Sequence, residues 1–72
     1  MTPYSDMDQH RRRMELTNLR RQIPERSLRE ISEALGRSQA YIGQKLRGDA
    51  EVTVMDLLAL EALVRREQGR PE

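Results

Sequence analysis

Seventy-two residues with 13 basic and 12 acidic side chains, a net charge of +1, make one small domain and exclude a multidomain architecture. Phe, Trp and Cys are absent, so the core must come from Leu, Ile, Val and Met, with no disulfide and no thiol chemistry. One His without Cys gives no basis for a zinc site, and no apolar run approaches a membrane span or a signal-peptide core.

Leu, Glu, Arg, Ala and Gln dominate what remains, which is a helix-forming composition. Ser5-Asp6-Met7-Asp8 places a hydroxyl three residues before a carboxylate, the pattern of a reciprocal N-terminal cap, and predicts a first helix over about 6–22. Leu16, Leu19 and Ile23 form its inward stripe, and Pro24 ends it. Ser27-Leu28-Arg29-Glu30 repeats the capping pattern with Glu in third place and opens a second helix over about 28–35, with Leu28, Ile31 and Leu35 inward. Gly36 follows, where a helix C-terminus commonly needs a residue at positive φ. Ser38 is the expected cap of a third helix over about 39–47, whose only strong apolar pair is Ile42 and Leu46, and Gly48 stops it. Residues 49–52 read as a loop. Thr53-Val54-Met55-Asp56 caps a fourth helix over about 54–67, and the tail from Gly69 to Glu72 is expected to fray.

Charge is unevenly spread. Gln9 to Gly48 holds 10 basic residues against 4 acidic, a net +6, whereas Asp49 to Glu72 holds 3 against 6, a net −3. A basic half suits a polyanion, although solvated helix faces give the same count.

The third helix is the most informative. With Ile42 and Leu46 inward, Ala40, Gln44 and Arg47 lie opposite, Gln39 projects from the first turn, and Tyr41 and Gly43 lie at the flanks. That outer face holds no acid, and its small residues let a backbone approach closely. Gln pairs bidentately with adenine in the major groove, and an Ala methyl packs on a thymine methyl. Base contacts are therefore expected from Gln39, Ala40 and Gln44, against the plainer reading that both Gln are simply solvated. Arg37, Lys45 and Arg47 flank the helix as phosphate contacts, joined by Ser38. Tyr41 either packs on a phosphate or lies on the domain's own surface. Arg11-Arg12-Arg13 spans nearly a turn, so at most one or two of the three face one partner. His10 is expected exposed. Asp6 with Asp8, and Glu30 with Glu33, read as caps and solubilising charges, so no catalytic pair emerges and no enzyme is expected.

The stretch "LREISEALGRSQAYIGQKLRG", Leu28 to Gly48, resembles the helix-turn-helix of the Cro/repressor (XRE-type) family, to which lambda-like phage repressors belong. Ile31, the small Ser32, Gly36 in the turn, Ser38, Ile42 and the closing Gly48 carry the likeness. "VTVMDLLAL", Val52 to Leu60, looks like the fourth helix of actinobacterial and phage members. The resemblance implies an all-α bundle of four to five short helices, one lambda repressor-like domain over 1–72, whose third helix recognises DNA. Two departures stand out. Members often carry Gln at the start of the second helix, where this chain has Leu28, so Ser27 or Arg29 takes the backbone contact instead. Lys45 stands where many members are apolar, and its stem packs while its ammonium reaches toward phosphate.

The fourth helix has more apolar surface than one stripe needs. Leu57, Leu60 and Val64 face the core, leaving Met55, Leu58 and Ala62 for a two-fold dimer contact or for burial against the first helix. The combined expectation is a cytoplasmic, nucleoid-associated regulator of transcription, a homodimer on an inverted-repeat operator in double-stranded DNA, acting by operator occupancy. No cofactor, metal or small-molecule ligand is expected. The alternatives are a DNA-binding antitoxin of a toxin–antitoxin pair, or a helical protein-interaction module that touches no DNA.

Overall fold

A computed structural model describes the backbone of residues 3–69 and the side chains of residues 7–69. Four helices follow in order, α1 (Pro3–Arg21), α2 (Leu28–Ala34), α3 (Tyr41–Arg47) and α4 (Val54–Gln68), with no strand among the described residues. The molecule is an all-α bundle. None of these helices is long and apolar enough to cross a membrane.

Helix α1 starts three residues earlier than the Ser5 pattern suggests. Pro3 occupies its first position, where a fixed φ suits the helix and the missing N–H costs nothing. Ser5 therefore lies inside the helix and is not its cap; its side chain is outside the described residues. The helix tightens at its end, with the Gln22 and Ile23 amides donating to Leu19 and Arg20 carbonyls at 3.1 and 3.2 Å, before Pro24 breaks it.

The other two capping boxes form as their sequences dictate. Glu30 N–H donates to Ser27 Oγ at 3.1 Å and Ser27 N–H to Glu30 Oε1 at 2.9 Å. Asp56 N–H donates to Thr53 Oγ1 at 3.1 Å and Thr53 N–H to Asp56 Oδ2 at 2.9 Å. Gly36 (φ +75°) and Gly48 (φ +88°) adopt the left-handed conformation after α2 and α3. In each case the next amide reaches back five residues, Arg37 to Ser32 at 3.0 Å and Asp49 to Gln44 at 2.9 Å, which satisfies a terminal carbonyl.

Helix α3 departs from expectation. It starts at Tyr41, with Ala40 at the N-cap and no side chain capping it, so Ser38 is not the cap. Ser38 instead offers its carbonyl to Tyr41 N–H at 3.1 Å, in a turn that holds Gln39 and Ala40.

The core is Leu16 and Ile23 from the α1 region, Ile31 of α2, Ile42 of α3, Val52 of the loop and Leu60, Leu63 and Val64 of α4. Leu19, Leu28, Leu35, Leu46 and Leu57 pack at its edge. Helix α1 packs chiefly on α4, and α2 on α3. At seven residues each, α2 and α3 are too short to persist alone, so their placement comes from tertiary contacts.

Candidate nucleic-acid interface

Both ends of α3 are fixed by side chains that the sequence pattern does not reveal. The buried Ser32 hydroxyl donates to its own helix at Leu28 O (2.8 Å) and accepts from Ile42 N–H (3.1 Å), joining α2 to the first turn of α3. A larger residue at Ser32 would force the two helices apart. At the other end Arg13 Nε donates to Lys45 O at 3.1 Å, so an α1 arginine caps the C-terminus of α3.

A third restraint is a buried polar knot between α3 and α4. Lys45 Nζ donates to Asp56 Oδ2 at 2.8 Å and to Glu51 O at 2.6 Å, and lies 4.7 Å from the centroid of the Tyr41 ring. The Tyr41 hydroxyl donates to Asp56 Oδ1. Burial opposes the charge on Asp56, but the donors Lys45, Tyr41 and Thr53 outweigh it and hold the carboxyl down at about 2. Burial likewise works against the Lys45 ammonium, yet its bond to Asp56 leaves its pKa raised.

Two expected phosphate contacts therefore fall away. Lys45 is only 8% exposed and its ammonium is turned inward, because α4 presents a carboxylate on that side. Tyr41 is half-buried with its hydroxyl committed to the same carboxylate, so it belongs to the domain's own packing. Arg37 stacks over the Tyr41 ring at 5.1 Å and remains exposed.

The outer face retains the other expected residues. Gln44 and Arg47 are exposed on α3, and Gln39 and Ala40 are exposed in the turn that leads into it. Ser27, Arg29 and Ser38 are exposed at the surrounding rim. Two acids lie close by. Gln39 Nε2 donates to Glu33 Oε2 at 3.3 Å, and Arg47 Nε pairs with Asp49 Oδ2 at 3.2 Å, each in solvent. Such exposed bonds are weak enough to exchange for a ligand. Gly43 is buried, and a β-carbon there would stand 3.3 Å from Arg47 Nη1 and 3.9 Å from Leu28 Cδ1. The small residue thus serves the approach of α2 and the fold-back of Arg47.

Of the three consecutive arginines, Arg12 Nη1 donates to Val52 O at 3.4 Å and Arg13 to α3 as above, while Arg11 is exposed, as is His10. Gln9 brackets Val52, donating to its carbonyl at 3.0 Å and accepting from its amide at 2.9 Å. These ties hold the α3–α4 loop to α1. On α4, Met55 (71% exposed) and Leu58 (53%) stand in solvent, as does Ala62. The expectation of burial against α1 is therefore not met.

No family model matches the chain, and neither a curated protein nor a solved structure matches it.

Proposed function

We propose that the chain binds double-stranded DNA sequence-specifically through α3 and the turn before it. The observation that carries this reading is the outer surface of α3. Gln44 and Arg47 are exposed there and Gln39 and Ala40 in the turn before it, while the opposite side is fixed by Ser32, Arg13 and Asp56. A short helix fixed at both ends, with no acid among its own residues and with the neighbouring Glu33 and Asp49 held only in exposed, exchangeable bonds, meets the geometric needs of major-groove readout. Gln39, Ala40 and Gln44 reach base edges in this reading. Arg37 and Arg47, with Arg29, Ser27 and Ser38 at the rim, hold phosphates. The resemblance of residues 28–48 to Cro/repressor proteins supports transcriptional control by operator occupancy.

The exposed Met55, Leu58 and Ala62 support a second copy as partner, since two recognition helices reading half-sites about 34 Å apart bind far better than one. The same apolar row also favours the rival readings, an antitoxin held by its toxin or an interaction module.

Selection of bound fragments from a random duplex pool tests the proposal. An inverted repeat should emerge, and binding should weaken steeply with salt, by roughly 0.9 in log–log slope per phosphate contact. Gln39→Ala and Gln44→Ala should each relax base preference at one or two positions and cost about 1–3 kcal/mol on the preferred site. Recovery of no common sequence, with salt-insensitive binding to protein partners instead, would favour the interaction module.

A further inference from the structure

The apolar contacts of α3 set which side faces the core, with Ile42 fully buried, but fix its rotation about its own axis only coarsely. Ile42 and Leu46 are its only large aliphatic residues, and burial is non-directional. Rotation matters greatly to a helix that reads bases. At a radius of about 6 Å including side chains, a roll of roughly 20° displaces a side-chain tip by about 2 Å. Hydrogen bonds tolerate only a few tenths of an ångström. Ser32 and Arg13 bond the backbone at the two ends of α3, and the remaining directional restraint comes from its own side chains.

We infer that Asp56 of α4 is a positioning residue for base readout, fixing the roll of α3 through Tyr41 and Lys45. This rests on the DNA-binding reading above. Tyr41 and Lys45 are one turn apart on α3, and they take different oxygens of one carboxylate. Two bonds from two successive turns to a single planar group define an angle, which one bond would not. The carboxylate is itself immobilised, because Oδ2 also accepts from Thr53 N–H at 2.9 Å in the α4 cap. Lys45 is further tied to Glu51 O, and Asp56 is 4% exposed, so water does not compete for these bonds. The first turn of α4 thus acts as a jig against which the recognition helix is set.

A merely structural role would lower stability and leave discrimination between sequences untouched. Two variants separate these possibilities in the full chain. Tyr41→Phe removes one hydroxyl and keeps the ring over which Arg37 stacks. Lys45→Met removes the ammonium and keeps the stem. Fluorescence anisotropy with the duplex recovered by selection, and with a scrambled duplex of equal composition, gives the preference of each folded variant. We expect the preference to fall roughly tenfold, the scale of one misplaced base contact. Affinity for scrambled DNA and its salt slope should not change. Preference retained by a folded variant overturns the inference, as does an equal loss on both duplexes, or a flatter slope for Lys45→Met, which would make it a phosphate contact after all. Hydrogen exchange adds a readout without DNA. Losing the buried pair in Lys45→Met also lowers global stability, so amides of α3 should accelerate by a larger factor than those of α1; equal acceleration in Tyr41→Phe, which keeps that pair, overturns the inference. Wild-type protein that binds both duplexes equally overturns the DNA reading itself, a failure visible before any variant is made.

Discussion

Replacing Asp56 with Ala removes the carboxylate on which Lys45, Tyr41 and Thr53 converge. The Lys45 ammonium is then left with the Glu51 carbonyl and the face of the Tyr41 ring and without a counter-charge, in a setting where its side chain is 10% exposed. Breaking a buried pair from one side costs about 3–5 kcal/mol, since the surviving charge stays desolvated. The lost capping bond to Thr53 N–H overlaps with that loss and is not added separately. At roughly 0.05–0.15 kcal/mol per residue, the whole domain has a stability of only about 4–11 kcal/mol. The variant should therefore lose a large share of it, with a midpoint lower by at least about 12 °C. Circular dichroism during thermal and urea unfolding measures this directly. A second substitution tests the cause. In Asp56→Ala/Lys45→Met the stranded charge is gone, so stability should recover by about 1–3 kcal/mol relative to Asp56→Ala. A single variant that loses less than about 1 kcal/mol, the scale of a surface pair, refutes the reasoning, and so does a double variant no more stable than the single.

The same carboxylate sets an acid limit. Its pKa in the fold, about 2, lies below the ordinary 3.8, so its stabilisation is complete above the ordinary value and is lost as pH falls through 2. The loss amounts to about 2 kcal/mol and should be missing in Asp56→Ala/Lys45→Met; urea midpoints that fall equally in both proteins count against it. The raised pKa of Lys45 makes its contribution complete below the ordinary 10.5, and that contribution is lost as pH rises from there through the higher value in the fold. Leu58→Glu, at a half-exposed position, should leave the monomer folded but lower both its mass in light scattering and its affinity for the selected duplex. Unchanged mass and affinity would place any dimer contact elsewhere. Asp49→Asn frees Arg47 from its solvent-exposed partner and should raise affinity for all duplexes by a few-fold at low salt, with stability changed by less than about 1 kcal/mol. An unchanged affinity would remove Arg47 from the phosphate contacts.

The sequence by itself determined the features that depend on neighbours three or four positions away. Helical periodicity selected Leu16, Ile31, Ile42, Leu60 and Val64 as core, and left Met55 and Leu58 outside, because facing is fixed by 100° steps along a helix. The Ser27 and Thr53 boxes and the glycines at 36 and 48 marked ends correctly, since capping and positive φ are local demands. Even local patterns failed where two signals competed. Pro3 began α1 ahead of Ser5, and Ser38 gave way at α3 because the turn after Gly36 must bring Ile42 N–H to the Ser32 hydroxyl.

Only the tertiary structure decided which charges face solvent. Lys45 breaks an otherwise inward-facing stretch of α3, and Asp56 carries a cap, so both had local explanations. Their pairing across 11 residues required α3 and α4 to meet. Gln9 clasping Val52 spans 43 residues and has no counterpart in any periodicity, and Arg12 and Arg13 likewise became internal ties. A charged side chain has a long, flexible reach, and its fate depends on which carbonyl or carboxylate folding brings within about 3 Å. That distance is a property of the packed helices, and no spacing along the chain encodes it.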